Sequence, residues 1–247
     1  MIIREGYKFR QDICLPCYGT DASFNMKPAA FMDFAQEIAY WAASELGFGY
    51  DQLHVHHTAW VLSRMHIQFH GYPKWRDNVT LFTWHKGLDG LFFIRDFFLD
   101  DSEGRHLVSC TSSWVIIDES TRRLVRPEEI KDLLTVDGPV DSAIAEPSPK
   151  TAMPRGAEPE PSGMHTVGYS DIDIIGHTNN VRYIVWAMDA LPYELTSSRR
   201  VKDIYISFIK ETTPGQQVEL FRLMEGDSCT VEGRVEGKAV FCAKILF

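Results

Sequence analysis

The chain repeats itself. Placing Asp21 on Asp173 sets Asn25 on His177 and Phe31 on Tyr183 without a gap, each pair 152 positions apart. A second register, offset by 139, sets Ile67-Gln-Phe69 on Ile206-Ser-Phe208 and Val79-Thr-Leu81-Phe82 on Val218-Glu-Leu220-Phe221. Two ungapped registers separated by a loop difference are the mark of an internal duplication. A length of 247 residues allows one large core or two small ones, and the repeat points to two.

Each half carries one helix candidate and a run of strands. In the first, Asn25 suits a cap and Pro28 a first turn. Phe31, Phe34, Ala35, Ile38, Trp41, Ala42 and Leu46 then recur at steps of three and four until Gly47. In the second, Thr178 to about Leu191 places Val181, Ile184, Val185 and Met188 on one face, with Pro192 ending it. The stretches 60–70, 78–86, 91–99 and 106–117, and then 201–209, 217–225, 228–235 and 238–247, are rich in β-branched and aromatic residues between turn clusters. Between the halves, residues 135–165 hold six of the twelve prolines and read as a linker. The expected organisation is therefore 1–134, a linker over 135–165, and 166–247. A long apolar helix followed by antiparallel strands, twice over, is an α+β double hot-dog: two sheets, each curled around its own helix.

Several functions are disfavoured by composition. With 25 Lys+Arg against 34 Asp+Glu the net charge is −9, which argues against a nucleic-acid binder. No run approaches the length of a membrane span and no secretory leader is evident, so a cytoplasmic protein is the default. Five cysteines cannot pair completely. Cys14-Leu-Pro-Cys17 stands without a second such motif and reads as two ordinary thiols near a strand end. His54-Val-His-His57 lacks a further ligand set, so neither a metal nor another cofactor is expected. No G-x-S-x-G, P-loop or G-x-G-x-x-G occurs.

The densest chemistry lies in Ser170–Tyr183, where the second helix begins. Helix N-termini present unpaired N–H groups and partial positive charge, so amides around Thr178, Asn179 and Asn180 are candidates to hold an oxyanion. Asp173 and His177 flank the turn at Gly176. Asp173, Thr178 and Asn179 would equally suit a helix cap, with His177 a half-buried histidine. The repeat weighs against that reading, because the first copy keeps the aspartate but has Asn25 in place of His177. Glu211, at a strand end where the first copy has Tyr72, is a second candidate that could activate water, or simply a solvated turn residue.

Trp60-Val-Leu-Ser-Arg-Met-His-Ile-Gln-Phe69, Tyr72-Pro-Lys-Trp-Arg-Asp77, Thr111-Ser-Ser-Trp-Val-Ile-Ile-Asp118, Thr121-Arg-Arg-Leu124 and the segment from Asp173 to Trp186 resemble, in the same order, acyl-acyl-carrier-protein thioesterases of the plant FatA and FatB type and their bacterial relatives. The resemblance implies a double hot-dog and hydrolysis of fatty acyl-ACP to free fatty acid and ACP, with no cofactor. Position by position it puts the family's catalytic aspartate on Asp173, its histidine on His177 and its glutamate on Glu211. Two positions depart: the family's asparagine is Ile175, and the cysteine once proposed as nucleophile is Thr212. The second departure favours direct attack by water, since an unactivated threonine is a poor nucleophile.

The partner so implied is an acyl carrier protein bearing fatty acyl-phosphopantetheine. Its acidity would require a local basic patch, either Arg122, Arg123, Arg126 and Lys131 or Arg199, Arg200 and Lys202. The acyl chain would need an apolar tunnel along the first helix, for which Phe31, Phe34, Ile38 and Trp41 are the candidates. Rival readings are an acyl-CoA thioesterase, a hot-dog dehydratase or hydratase, and a non-catalytic acyl-thioester binder. A monomer, already a pseudo-dimer, and a homodimer are both consistent with the duplication.

Overall fold

The computed structural model describes residues 1–126 and 140–247, which cluster into two units. One unit comprises Met1–Ser63 with Phe69–Ser148, the other Arg64–Gln68 with Pro149–Phe247. The first holds β1 (Ile2–Glu5), β2 (Lys8–Cys14), α1 (Pro28–Glu45), α2 (Tyr50–Val55), most of β3 (Thr58–Phe69), β4 (Asn78–Asp89), β5 (Phe92–Asp100), β6 (His106–Asp118) and β7 (Leu124–Val125). Its sheet runs β1-β2-β4-β5-β6, antiparallel throughout, with β7 paired to β6. The second holds β8 (Glu160–Thr166), α3 (Asn180–Asp189), α4 (Tyr193–Ser198), β9 (Asp203–Phe208), β10 (Gln217–Glu225), β11 (Ser228–Val235) and β12 (Lys238–Leu246). Its sheet runs β8-β10-β11-β12-β9, and Arg64–Gln68 of β3 pairs with β9. The strand orders β2-β4-β5-β6 and β8-β10-β11-β12 are equivalent, so the repeat in the sequence is a repeat in topology.

In each unit a helix lies on the sheet, which makes both hot-dogs. Phe31, Ala35, Ile38 and Ala42 form one buried face of α1, which packs on β2 and β4. Val79, Leu81 and Thr83 alternate inward along β4 as period-two burial requires. The face of α3 formed by Val181, Ile184 and Ala187 is buried, and the helix packs on β11 and β12. Phe241 of β12 sits beneath Tyr183, with ring centroids 5.3 Å apart. That ring fits because residue 233 is glycine: a Cβ there would lie 2.2 Å from Phe241 Cε1.

Three expectations are corrected. Asn25 does not cap α1, whose N-cap is Lys27 without a side-chain bond; Asn25 lies in the preceding loop and forms an isolated bridge with Lys74. The helix α3 starts at Asn180, two residues later than the periodicity suggested, because Thr178 is still bridged to Ile172. The proline-rich stretch is also more than a connector. Residues 135–139 lie outside the described residues, but beyond them the Asp141 carbonyl accepts from Trp84 Nε1 at 2.8 Å, and Ala143 N–H donates to Asp96 Oδ2 at 2.8 Å. Farther on, Glu160–Thr166 is β8, paired to β10. Among the described residues no helix is long and apolar enough to cross a membrane.

Candidate active site

The loop leading into α3 is held in shape by Asp173. Its Oδ1 accepts from the amides of Ile175 at 3.0 Å and His177 at 3.4 Å, while its own N–H donates to the His177 carbonyl at 2.9 Å. Gly176 closes the turn at φ +81°, left-handed backbone that glycine adopts without steric penalty. The first unit builds the same loop. Asp21 Oδ1 accepts from Ser23 at 2.8 Å and Asn25 at 2.9 Å, and Asp21 N–H donates to Asn25 O at 2.8 Å. Phe24 there takes φ +64° where the second unit has Gly176. The strand ends also match: Lys74 N–H donates to Asp77 Oδ2 at 2.8 Å, and Thr213 N–H to Gln216 Oε1 at 2.9 Å.

On this shared frame only the second unit mounts titratable groups face to face. His177 Nδ1 stands 3.4 Å from Glu211 Oε2, salt-bridge distance for a protonated imidazole, with both side chains about a third exposed. The equivalents Asn25 and Tyr72 are differently employed. The Asn25 carboxamide donates to the Ser23 carbonyl at 3.0 Å, and Tyr72 stacks on Phe69. An imidazole beside a carboxylate, both open to solvent and next to a helix start, can hold and deprotonate a water. Asp173 is engaged with backbone amides, so Glu211 is the carboxylate at the imidazole nitrogen.

Of the three amides expected to hold an oxyanion, two are already bonded. Thr178 N–H donates to the Thr212 carbonyl at 3.0 Å and Asn179 N–H to the Asp171 carbonyl at 2.8 Å. Asn180 occupies the first helical position, where the helix itself supplies no acceptor. Asn179 Oδ1 caps α3 by accepting from Val181 N–H at 2.9 Å. The Ile175 side chain is exposed, and only its amide takes part in the loop.

Profiles of the acyl-ACP thioesterase N-terminal and C-terminal domains match residues 6–134 and 158–240. The chain belongs to the acyl-ACP thioesterase family. The oleoyl-acyl carrier protein thioesterase 2 of Arabidopsis thaliana is 26% identical over 85% of this chain and 61% of its own length. A palmitoyl-acyl carrier protein thioesterase of the same plant is 28% identical over 99% and 61%. The chain thus spans about three-fifths of these plant relatives. An acyl-ACP thioesterase from Bacteroides thetaiotaomicron superposes with TM-score 0.85 at 26% identity over 98% of both chains. The 12:0-ACP thioesterase from Umbellularia californica gives the same TM-score at 22% identity, which shows the shared fold.

The remaining candidates divide. Phe31 and Ile38 are fully buried in the first unit and Phe34 is half-buried. Trp41 is 52% exposed, with Nε1 donating to Glu37 Oε1 at 2.7 Å, because it lies about 60° around the helix from Ile38. Lys131 lies outside the described residues. Arg199 is ion-paired to Asp227 at 2.9 Å, which balances part of the second basic patch. His54 pairs with Glu119 at 3.4 Å, and no group of three potential metal ligands exists among the described residues. Cys14 ends β2 and both exposed thiols of the Cys-Leu-Pro-Cys motif are free.

Proposed function

We propose that this protein hydrolyses the thioester of fatty acyl-ACP to free fatty acid and ACP. The observation that carries the reading is the His177–Glu211 pair, present in one unit and replaced by Asn25 and Tyr72 on the same backbone in the other. Glu211 takes a proton from water as the water oxygen attacks the acyl carbonyl carbon. The tetrahedral oxyanion is met by the amide at Asn180, and collapse breaks the C–S bond. His177 orients the water and relays the proton from Glu211, 3.4 Å away, to the departing phosphopantetheine thiolate, which returns both residues to their starting states. Asp173 serves by shaping the loop that presents His177. Thr212 is buried and hydrogen-bonded, which supports attack by water over a covalent acyl-enzyme.

Thiol release from acyl-ACPs and the matching acyl-CoAs, C8 to C18, tests this. Glu211→Gln and His177→Ala should each lower kcat on acyl-ACP by about 10²–10⁴-fold. Near-normal turnover by either variant removes that residue from the mechanism. Cleavage of acyl-CoA in preference to acyl-ACP transfers the same chemistry to the other carrier.

A further inference from the structure

Beside the His177–Glu211 pair three buried hydroxyls form a chain. Tyr183 of α3 brings its phenol oxygen to 3.0 Å from Thr212 Oγ1 and accepts the Thr212 N–H at 3.1 Å. Thr212 Oγ1 in turn donates to Thr178 Oγ1 at 2.7 Å. Thr178 is the chain neighbour of His177 and Thr212 that of Glu211, so the hydroxyls join the two segments that present the pair. Thr212 is fully buried, Tyr183 and Thr178 nearly so.

The first unit supplies an internal control. The residues equivalent to Thr178, Thr212 and Tyr183 are Met26, Pro73 and Phe31, none of which has a hydroxyl. A backbone bond between the two segments is nevertheless present in both units, Met26 N–H to Pro73 O at 2.9 Å and Thr178 N–H to Thr212 O at 3.0 Å; the first unit adds Trp75 N–H to Phe24 O at 2.8 Å, a donor that the equivalent Pro214 lacks. The first unit therefore closes this junction with two backbone bonds and no hydroxyl, whereas the unit that carries the histidine and the glutamate has one such bond and the three hydroxyls. We propose that the Tyr183–Thr212–Thr178 chain is a positioning device that fixes the separation and orientation of His177 and Glu211. This rests on the reading of that pair as the reacting site.

The physical reason lies in degrees of freedom. A single backbone bond between two loops leaves them free to rock about it, whereas three further bonds at different angles fix their relative orientation. Burial raises the Tyr183 pKa above its usual value, and the charge of Glu211 pushes the same way, so the phenol keeps the proton it needs as a donor. None of the three touches the reacting atoms; they act through the two residues they hold.

The test compares Tyr183→Phe, Thr212→Val and Thr212→Ser with the wild type on acyl-ACP, alongside His177→Ala and Glu211→Gln, reading kcat, KM, the pH profile of kcat and thermal melting. Tyr183→Phe and Thr212→Val should lower kcat by about tenfold or more with KM within about twofold, because small misplacements of catalytic groups are costly. They should also displace the midpoint of the pH profile, and Thr212→Ser should restore both readouts. Unchanged kcat and pH profile in Tyr183→Phe and Thr212→Val, with His177→Ala and Glu211→Gln inactive, overturns the positioning role and leaves the site intact. Equal loss in Thr212→Ser and Thr212→Val overturns it too, since the methyl's packing would then be responsible. Wild-type turnover by His177→Ala or Glu211→Gln is a failure of the underlying site reading. Tyr183→Phe removes one oxygen and keeps the ring contacts, so it decides the question should Thr212→Val not fold.

Discussion

Asp21 and Asp173 show how one side chain can do the same work in two places with different consequences. Each accepts two backbone amides inside its loop. Replacing either by Ala should cost about 0.5–1.5 kcal/mol, the net worth of a hydrogen bond whose donor water can still reach, because these loop amides are exposed or part-buried. Only Asp173→Ala should also reduce kcat, because only that loop carries a histidine. Denaturant midpoints and turnover measured on both variants check this, and a kcat loss in Asp21→Ala would contradict it. The asymmetry of His177 against Asn25, and of Glu211 against Tyr72, is visible in the bare sequence once the copies are aligned. The hydroxyls of Thr178, Thr212 and Tyr183 were in the same alignment, against Met26, Pro73 and Phe31. They escape a reading that looks first for titratable groups, since their role depends on contacts between segments about thirty residues apart. Trp41, 52% exposed, sits at the margin of an apolar stripe, where spacing cannot decide which side of the boundary a residue takes.

At the level of elements, strands with strong alternation could be read closely from sequence; 217–225 and 228–235 coincide with β10 and β11. β8 could not be read, because Glu160-Pro-Ser-Gly-Met-His-Thr166 is mostly exposed and carries a proline that only an edge strand tolerates. Asn25 misleads because an Asn before a helix suits a cap and a tight turn equally, and the Asp21 turn claims it. The pairing of β11 with β12 carries a sharper constraint. Gly233 leaves room for the Phe241 ring, and a methyl there would drive that ring toward Tyr183. Gly233→Ala should destabilise the protein by about 1–3 kcal/mol, the usual cost of overpacking. Chemical denaturation measures the loss, and a neutral substitution would mean that the strands separate without strain.

For the molecule as a whole, acid stability follows from titratable groups that burial shifts toward their neutral forms. Burial holds the His85 pKa down to about 4, the neighbouring Arg95 adding to the effect, while Nδ1 contacts the Ile94 carbonyl at 3.0 Å. Between pH 6.5 and about 4 the unfolded chain takes up a proton at this site that the folded chain refuses. Stability is therefore unaffected above that window and falls as pH drops through it, by about 3 kcal/mol when fully expressed. His66, also lowered by burial, acts in the same direction, and Asp96, raised by burial, acts oppositely. The His85 share is isolated by comparing wild type with His85→Gln: the variant should lose less stability between pH 6.5 and 4.5, and parallel curves would refute the assignment.

The pairing of Arg64–Gln68 with β9 has a consequence for synthesis. Met65 and Ile67, both buried in the finished protein, leave the ribosome roughly 140 residues ahead of Ile204 and Ile206, to which they pair. At translation rates of about 5–20 residues per second the nascent chain must shelter that segment for about 7–30 s before its partner strand exists. Through that interval these strand residues are a ready target for a chaperone.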